Sequence, residues 1–313
     1  MKNMTTPPLV TPRVADNLSD LPVRNGSIRP HDVAFSTPSA GAWVDITNAE
    51  FLADVHALAK GLMAAGIGLG ERVAIMSKTR YEWTLADFAV WTAGAVSVPI
   101  YETSSAEQVS WIVSDSGCAA VILETPTHAR TLASVHADQP DLRHVWQIDD
   151  GGLDELKAGG RQITDEALET RRGHVSRADV ATVIYTSGTT GRPKGCQLTH
   201  DNFMSLAENT VECMEAVVSA PGASTLLFLP LAHVFARFVE VVCVQAGVRM
   251  GHTADIKNLL ADFGTFSPTF ILSVPRVFEK HIQLLGAEGR CRGQGQDLHD
   301  RSRDGNRLEH RAR

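Results

Sequence analysis

Short apolar segments alternate with segments of helical periodicity along most of the chain, and this alternation constrains the fold more than any other feature. A capping box formed by Thr47 and Glu50 opens a predicted helix that ends before Gly66. Strands that alternate with helices in this way are typical of parallel sheets covered by helices. The sequence therefore predicts an α/β protein with mostly parallel sheets flanked by helices. The predicted strands are 72–76, 95–99, 119–123, 182–185, 225–229 and 269–273, and the later helices are 81–93, 105–116, 202–218 and 235–245.

The first forty residues lack this alternation. Residues 1–40 contain several prolines and no clear periodicity, so we expect a poorly ordered leader. Structure is expected from about Trp43, and residues 41–285 are expected to form one domain. Within that domain, residues 149–160 are rich in glycine and charge and are expected to form a surface loop.

The last segment, residues 286–313, differs in kind, with seven arginines, five acidic residues and no aromatic residue. Its large aliphatic residues are Leu298 and Leu308 alone. That is too little apolar surface to offset the entropy of ordering, so we expect disorder. Codons can be chosen for this segment so that a one-base shift of the reading frame encodes a different sequence with helix-forming residues and apolar spacing. We therefore hypothesise a frameshift. The alternative is a natural basic tail.

Composition and charge argue against several classes of function. A formal net charge of −7 provides no basic surface, so we expect no nucleic-acid partner. The sequence has no run of about 18 apolar residues, so it predicts no membrane-spanning helix. The first residues lack the apolar core of a signal peptide. The five cysteines are scattered without metal-ligand spacing, which disfavours a zinc site or a disulfide framework. We therefore expect a cytoplasmic protein.

The strongest local signal is a loop rich in glycine and hydroxyl groups, directly after the predicted strand 182–185. It has the sequence Tyr-Thr-Ser-Gly-Thr-Thr-Gly-Arg-Pro-Lys-Gly over residues 185–195. Its glycines let the backbone approach a ligand, its hydroxyl and N–H groups are donors, and Lys194 adds a positive charge. This combination fits the oxygens of a polyphosphate, although the spacing differs from that of a Walker A loop. The alternative is a flexible surface turn.

The complete string resembles the phosphate-binding motif of the adenylate-forming superfamily, which includes acyl-CoA synthetases, luciferases and peptide-synthetase adenylation domains. The resemblance covers about residues 43–280 and implies that residues 41–285 form an incomplete N-terminal, AMP-binding domain of that fold. Within that superfamily, the sequence is most similar to the long-chain fatty acid–CoA ligases. Segments that resemble motifs of that branch are 80–83, 99–108 and 273–280, and segment 229–233 resembles a motif of the whole superfamily.

The resemblance implies ATP with Mg²⁺ and coenzyme A as co-substrates, and a fatty acid as substrate. Lys194 would balance the charge of the β- and γ-phosphates, and Thr190 would contact the Mg²⁺. His233 would line the acyl and nucleotide pocket; the alternative is a core histidine. Arg237 stands where some relatives carry an aromatic gate to the acyl tunnel; the alternative is a surface arginine on an amphipathic helix. The implied nucleotide-binding residues are Thr186, Ser187, Gly188, Thr189, Thr190, Gly191, Lys194 and His233.

The implied reaction has two steps. A fatty carboxylate attacks the α-phosphate of ATP to give an acyl-adenylate and pyrophosphate, and the thiol of coenzyme A then displaces AMP. The nucleophiles come from the substrates, so no catalytic side chain is assigned. The family's segments for adenine, ribose and a catalytic lysine are missing from this sequence, and we expect a truncated, inactive form. The alternatives are a fatty acyl–AMP ligase or another adenylating enzyme, and a non-catalytic nucleotide-binding remnant. A lipid substrate is compatible with peripheral membrane contact.

Overall fold

The computed structural model describes residues 7–12, 16–39, 41–135, 137, 139–186, 192–255 and 257–274. In these residues the chain forms two β-sheets with helices packed against them. The chain falls into two units, residues 1–271, which hold both sheets, and residues 272–313, of which 272–274 are described. The predicted disorder and frameshift at 286–313 therefore lie outside the described residues.

The two sheets contain ten strands within the described residues. They are β1 Val33–Ser39, β2 Ala42–Thr47, β3 Arg72–Met76, β4 Val96–Ile100, β5 Cys118–Leu123, β6 His144–Gln147, β7 Val180–Thr186, β8 Lys194–Thr199, β9 Ser224–Leu227 and β10 Arg249–His252. The helices are α1 Asp20–Ile28, α2 Asn48–Ala64, α3 Tyr81–Thr92, α4 Ala106–Ser116, α5 Pro126–Ala133, α6 Gly152–Gly159, α7 Asp165–Arg172, α8 His200–Cys213, α9 Glu215–Val218, α10 Val234–Ala246 and α11 Leu259–Phe266.

Parallel pairing dominates both sheets. The larger sheet has the strand order β6-β5-β3-β4-β7-β8, and all neighbours are parallel except β7 and β8. The smaller sheet has the order β2-β1-β10-β9, in which β1 and β2 are antiparallel. Strands β4 and β5 are buried along their whole length. Strands that are covered on both faces have nearly continuous apolar sequences, as these two have. These features confirm the predicted α/β class.

Helix α3 contacts both sheets and is buried nearly all round. Nε1 of Trp91 donates to the carbonyl of Ala181 on β7 at 2.9 Å. Oγ1 of Thr84 lies 2.9 Å from Nε2 of His252 on β10. A helix that is apolar on most sides is stable when buried. α3 therefore joins the two sheets through one shared core.

Helix α1 and strand β1 lie inside the segment expected to be a poorly ordered leader, so that expectation is wrong for residues 20–28 and 33–39. Pro22 does not prevent the helix, because it lies in the first turn, where backbone N–H groups have no helical partner. Contacts far along the chain hold α1 in place. Leu21 is buried, and the side-chain amide of Asn25 donates to the carbonyl of Val244 at 2.8 Å.

Two other predicted elements are wrong. Residues 149–160 contain helix α6 rather than a surface loop, because Leu153 and Leu156 are buried against the rest of the molecule. The predicted strand at 269–273 does not form, and its first two backbone N–H groups instead donate to the carbonyl of Ser224. In the part of the chain that the structure describes, no helix combines the length and the apolarity needed to cross a bilayer.

Candidate functional site

The glycine-rich loop joins two antiparallel strands at one edge of the larger sheet. β7 ends at Thr186, β8 begins at Lys194, and these two residues are register partners. The loop therefore follows the carboxyl end of β7, the side of a parallel sheet at which α/β proteins bind ligands. The structure thus brings Thr186 and Lys194 together. The other predicted loop residues lie outside the described ranges: Ser187, Gly188, Thr189, Thr190 and Gly191.

Lys194 presents its ammonium group at the exit of this loop. Its side chain is exposed, and no described carboxylate forms an ion pair with it. The next residue, Gly195, packs so closely that an added Cβ would lie 2.8 Å from Cγ1 of Val183 and 3.1 Å from Cζ of Tyr185. Glycine therefore permits the close approach of β8 to β7. This approach fixes the backbone directly beside Lys194.

His233 lies at the N-terminus of α10, after strand β9 and a turn in which its N–H donates to the carbonyl of Pro230 at 2.9 Å. Its Nδ1 accepts a hydrogen bond from the N–H of Phe235 at 3.3 Å and so caps the helix. Because the accepting nitrogen carries no proton, the neutral imidazole has its N–H at Nε2. The side chain is exposed, so the alternative of a core histidine is wrong, and Nε2 is available to donate to a ligand oxygen.

Thr79, which the sequence analysis missed, holds the segment that carries His233. Its hydroxyl donates to the carbonyl of Leu229 at 2.7 Å and accepts from the N–H of Leu231 at 3.3 Å. Thr79 follows β3, whereas Leu229 follows β9. The carboxyl ends of one strand from each sheet are therefore linked through one buried hydroxyl. The nearest sequence signal was the motif at 80–83, which begins at the next residue.

Arg237, one turn after His233, is fully buried at 0% exposure, so the alternative of a surface arginine is wrong. Its guanidinium forms a bidentate ion pair with Asp87 of α3, in which Nη2 donates to Oδ1 at 2.7 Å and Nε donates to Oδ2 at 3.1 Å. It also donates to the hydroxyl groups of Ser97 at 2.8 Å and Thr182 at 2.5 Å. These contacts tie α10 to β7, the strand that leads into the glycine-rich loop. His233 is not hydrogen-bonded to Thr186 or Lys194 in the described residues.

A second buried carboxyl group, that of Glu240, lies one turn further along α10. Glu240 is fully buried, and neither carboxyl oxygen has a hydrogen-bond partner among the described side chains and backbone. Burial, with the negative charge of Asp87 adding to it, raises the pKa of Glu240 to about 8. Burial therefore favours the protonated form of Glu240, while Asp87, which is ion-paired with Arg237, balances the charge of the guanidinium.

The described part of the site offers proton donors and one free cation. Lys194 supplies an ammonium group and His233 an N–H, a set that suits an anionic ligand. Within the described ranges, no three His, Cys, Asp or Glu side chains meet as a potential metal site. Thr190, the predicted Mg²⁺ contact, is outside those ranges.

Known proteins share much of this sequence. The family of AMP-binding enzymes matches residues 24–303. The chain is 42% identical over 283 residues to the long-chain-fatty-acid–CoA ligase FadD15 of Mycobacterium bovis, and the aligned region covers 90% of this chain and 47% of that protein. It is 30% identical over 228 residues to long-chain-fatty-acid–CoA ligase 1 of Homo sapiens, and the aligned region covers 68% of this chain and 33% of that protein. The chain thus spans about half the length, or less, of these curated relatives.

Solved structures share the fold. The N-terminal domain of FACL13 from Mycobacterium tuberculosis superimposes with a TM-score of 0.72 at 26% identity, over 84% of this chain and 64% of that one. A long-chain-fatty-acid-CoA ligase, FadD1, from Archaeoglobus fulgidus gives a TM-score of 0.77 at 19% identity, over 91% of this chain and 56% of that one. These likenesses confirm the predicted N-terminal fold of the adenylate-forming enzymes.

Proposed function

Since the chain belongs to the family of AMP-binding enzymes, we propose that it binds the triphosphate of ATP, carried as the Mg²⁺ complex, in the loop between β7 and β8. Residues 187–191 are called the phosphate loop below. The observation that supports this proposal most directly is the pairing of Thr186 with Lys194 at the carboxyl end of β7, with no described carboxylate to neutralise the lysine. The residues at 187–191 would add hydroxyl and N–H donors, with Thr190 next to the Mg²⁺.

We further propose a long-chain fatty acid as the acyl substrate and coenzyme A as the acceptor. Two relatives, at 42% and 41% identity, are named long-chain-fatty-acid–CoA ligases. Their names favour acyl-CoA over fatty acyl–AMP as the final product. A cytoplasmic location, with peripheral membrane contact to collect a lipid substrate, belongs to the same proposal.

In the proposed reaction, an oxygen of the fatty carboxylate bonds to the α-phosphorus of ATP, and pyrophosphate leaves with the electron pair of the broken P–O bond. Lys194 and the donors of the phosphate loop stabilise the negative charge that grows on the pyrophosphate. The Nε2–H of His233 donates to an oxygen of the carboxylate or of a phosphate. The thiol of coenzyme A loses its proton to solvent, its sulfur then bonds to the acyl carbon, and AMP leaves with the electron pair of the broken C–O bond.

Calorimetric titration of the 313-residue chain with Mg-ATP tests the phosphate-binding role. We expect Lys194→Ala to weaken binding about 10-fold, or about 1.4 kcal/mol, because it removes one charge-assisted contact. Lys157→Ala is the matched control, since Lys157 lies on α6 and pairs with Asp54 at 2.6 Å, and it should bind as the wild type does. Absence of saturable binding by the wild-type chain, or equal affinities of the two variants, would overturn the proposal.

A further inference from the structure

Both described flanks of the phosphate loop contact one face of helix α4. Trp111 and Asp115 are four residues apart in this helix, so their side chains lie on the same side of it. Before the loop, the hydroxyl of Tyr185 donates to Oδ2 of Asp115 at 2.6 Å. After the loop, Nε1 of Trp111 donates to the carbonyl of Pro193 at 2.8 Å. One helix therefore holds the chain on both sides of the loop.

The same helix distinguishes the two cations near the end of the loop. The guanidinium of Arg192 lies over the ring of Trp111, 4.7 Å from the ring centroid, which is a cation–π contact. Lys194, two residues further on, has no such contact and no ion pair among the described residues. Because the guanidinium of Arg192 packs on α4, we expect Lys194, of these two cations, to bind a phosphate.

These contacts depend on particular polar atoms more than on apolar packing. Trp111 and Tyr185 are half-buried and Asp115 is exposed, so a small apolar area is involved. Burial, followed by the hydrogen bond to Asp115, raises the pKa of Tyr185. Its hydroxyl therefore remains a donor throughout the physiological pH range. Removing one of these polar atoms should loosen the attachment of Tyr185 or Pro193 to α4 without unfolding the sheet.

We propose that Trp111 and Asp115 are positioning residues that hold Pro193 and Tyr185, the described residues on either side of the phosphate loop, so that Lys194 faces a triphosphate. This inference rests on the proposed function, because it takes a polyphosphate as the ligand of the loop. Neither residue contacts the ligand. Trp111 acts through Pro193 and Asp115 acts through Tyr185.

The variant Trp111→Phe tests this role, since it keeps an aromatic ring for Arg192 and removes the N–H donor to Pro193. It should bind inorganic tripolyphosphate about 3- to 10-fold more weakly than the wild-type chain in calorimetry, the range expected for one lost hydrogen bond. Trp146→Phe is the matched control, because it makes the same substitution on β6, at the opposite edge of the sheet, and should bind as the wild type does. The effects of Trp111→Phe and Lys194→Ala should be less than additive, because both act on one loop.

Trypsin cleavage after Lys194 provides a readout that needs no ligand. Trp111→Phe and Tyr185→Phe should each speed cleavage at this bond several-fold, while Trp146→Phe leaves its rate unchanged. A purely structural role would instead speed cleavage throughout the chain. Faster cleavage in Trp111→Phe with no tripolyphosphate binding by the wild type would refute the proposed function and keep the positioning role. Unchanged cleavage and unchanged affinity in both loop-flank variants would overturn the positioning role.

Discussion

At the residue scale, a backbone contact determines what His233 can do chemically. Nδ1 accepts the N–H of Phe235 and caps α10, so the imidazole presents a proton donor at Nε2. A donor at this position suits an anionic oxygen of a carboxylate or phosphate and does not suit proton removal. Thr79 supports this arrangement from β3, through two hydrogen bonds to the turn before His233.

Thr79→Val removes both hydrogen bonds and keeps the shape of the side chain. We expect the free energy of unfolding to fall by about 1–2 kcal/mol and the affinity for Mg-ATP to fall with it, because His233 loses its fixed position. Urea unfolding and calorimetry measure the two effects, and Thr79→Ser, which keeps the hydroxyl, is the control. In a His233→Ala background the loss of affinity should vanish; a full additional loss there would contradict the positioning of His233 by Thr79.

Glu240 should make the stability of the chain depend on pH. Its pKa is about 8 in the folded chain and 4.5 for the free side chain, so the folded state keeps a proton that the unfolded state releases between these values. The contribution of Glu240 is complete below pH 4.5 and is lost as the pH rises to 8, by up to ~1.4 kcal/mol per pH unit.

The comparison of wild type with Glu240→Gln isolates this effect. The pKa of buried His200 and that of His252 are both lowered to about 4 by burial, but both histidines titrate in both proteins and cancel in the difference. Relative to the wild type, Glu240→Gln should gain stability between pH 5 and pH 8 in urea unfolding. A difference that stays constant over this range would show that Glu240 is not protonated in the folded state.

At the scale of elements, the buried ion pair between Arg237 and Asp87 holds α10 against α3. Arg237→Met leaves the carboxylate of Asp87 buried without its partner, so we expect a loss of about 3–5 kcal/mol in the free energy of unfolding. The double variant with Asp87→Leu should recover part of that loss in urea unfolding, because no unpaired charge remains. A single-variant loss below about 1 kcal/mol would mean that the pair does not anchor the helix.

Elements set by neighbouring residues could be predicted, and elements set by distant contacts could not. The start of α2 depends on Thr47 and Glu50, whose side chains satisfy each other's backbone N–H groups, and its position was predicted. Strand β10 has the sequence Arg-Met-Gly-His, without an apolar run, and forms because it pairs with β1 and β9 on either side. Helix α1 was missed for the same reason, since distant carbonyl groups hold it.

At the scale of the whole molecule, the local motif of the candidate site could be predicted from the sequence, but the contacts that hold the motif in place could not. The phosphate loop and Lys194 form a local motif that can be recognised from residue types and spacing. The contacts of Thr79, Trp111 and Arg237 could not be predicted, because each residue acts on a partner 82 to 152 residues away. Such contacts depend on which strands become neighbours in the sheets, and neither composition nor periodicity specifies that.

Hydrogen–deuterium exchange of the 313-residue chain, with and without Mg-ATP, shows whether the phosphate loop and the turn before α10 bind one ligand. If they do, backbone amides should exchange more slowly with the nucleotide in two segments, 185–195 and 229–237. Residues 144–160, at the other edge of the larger sheet, should exchange at an unchanged rate. Protection centred outside the two segments, or no protection in either of them at saturating Mg-ATP, would show that the two segments do not form the nucleotide site.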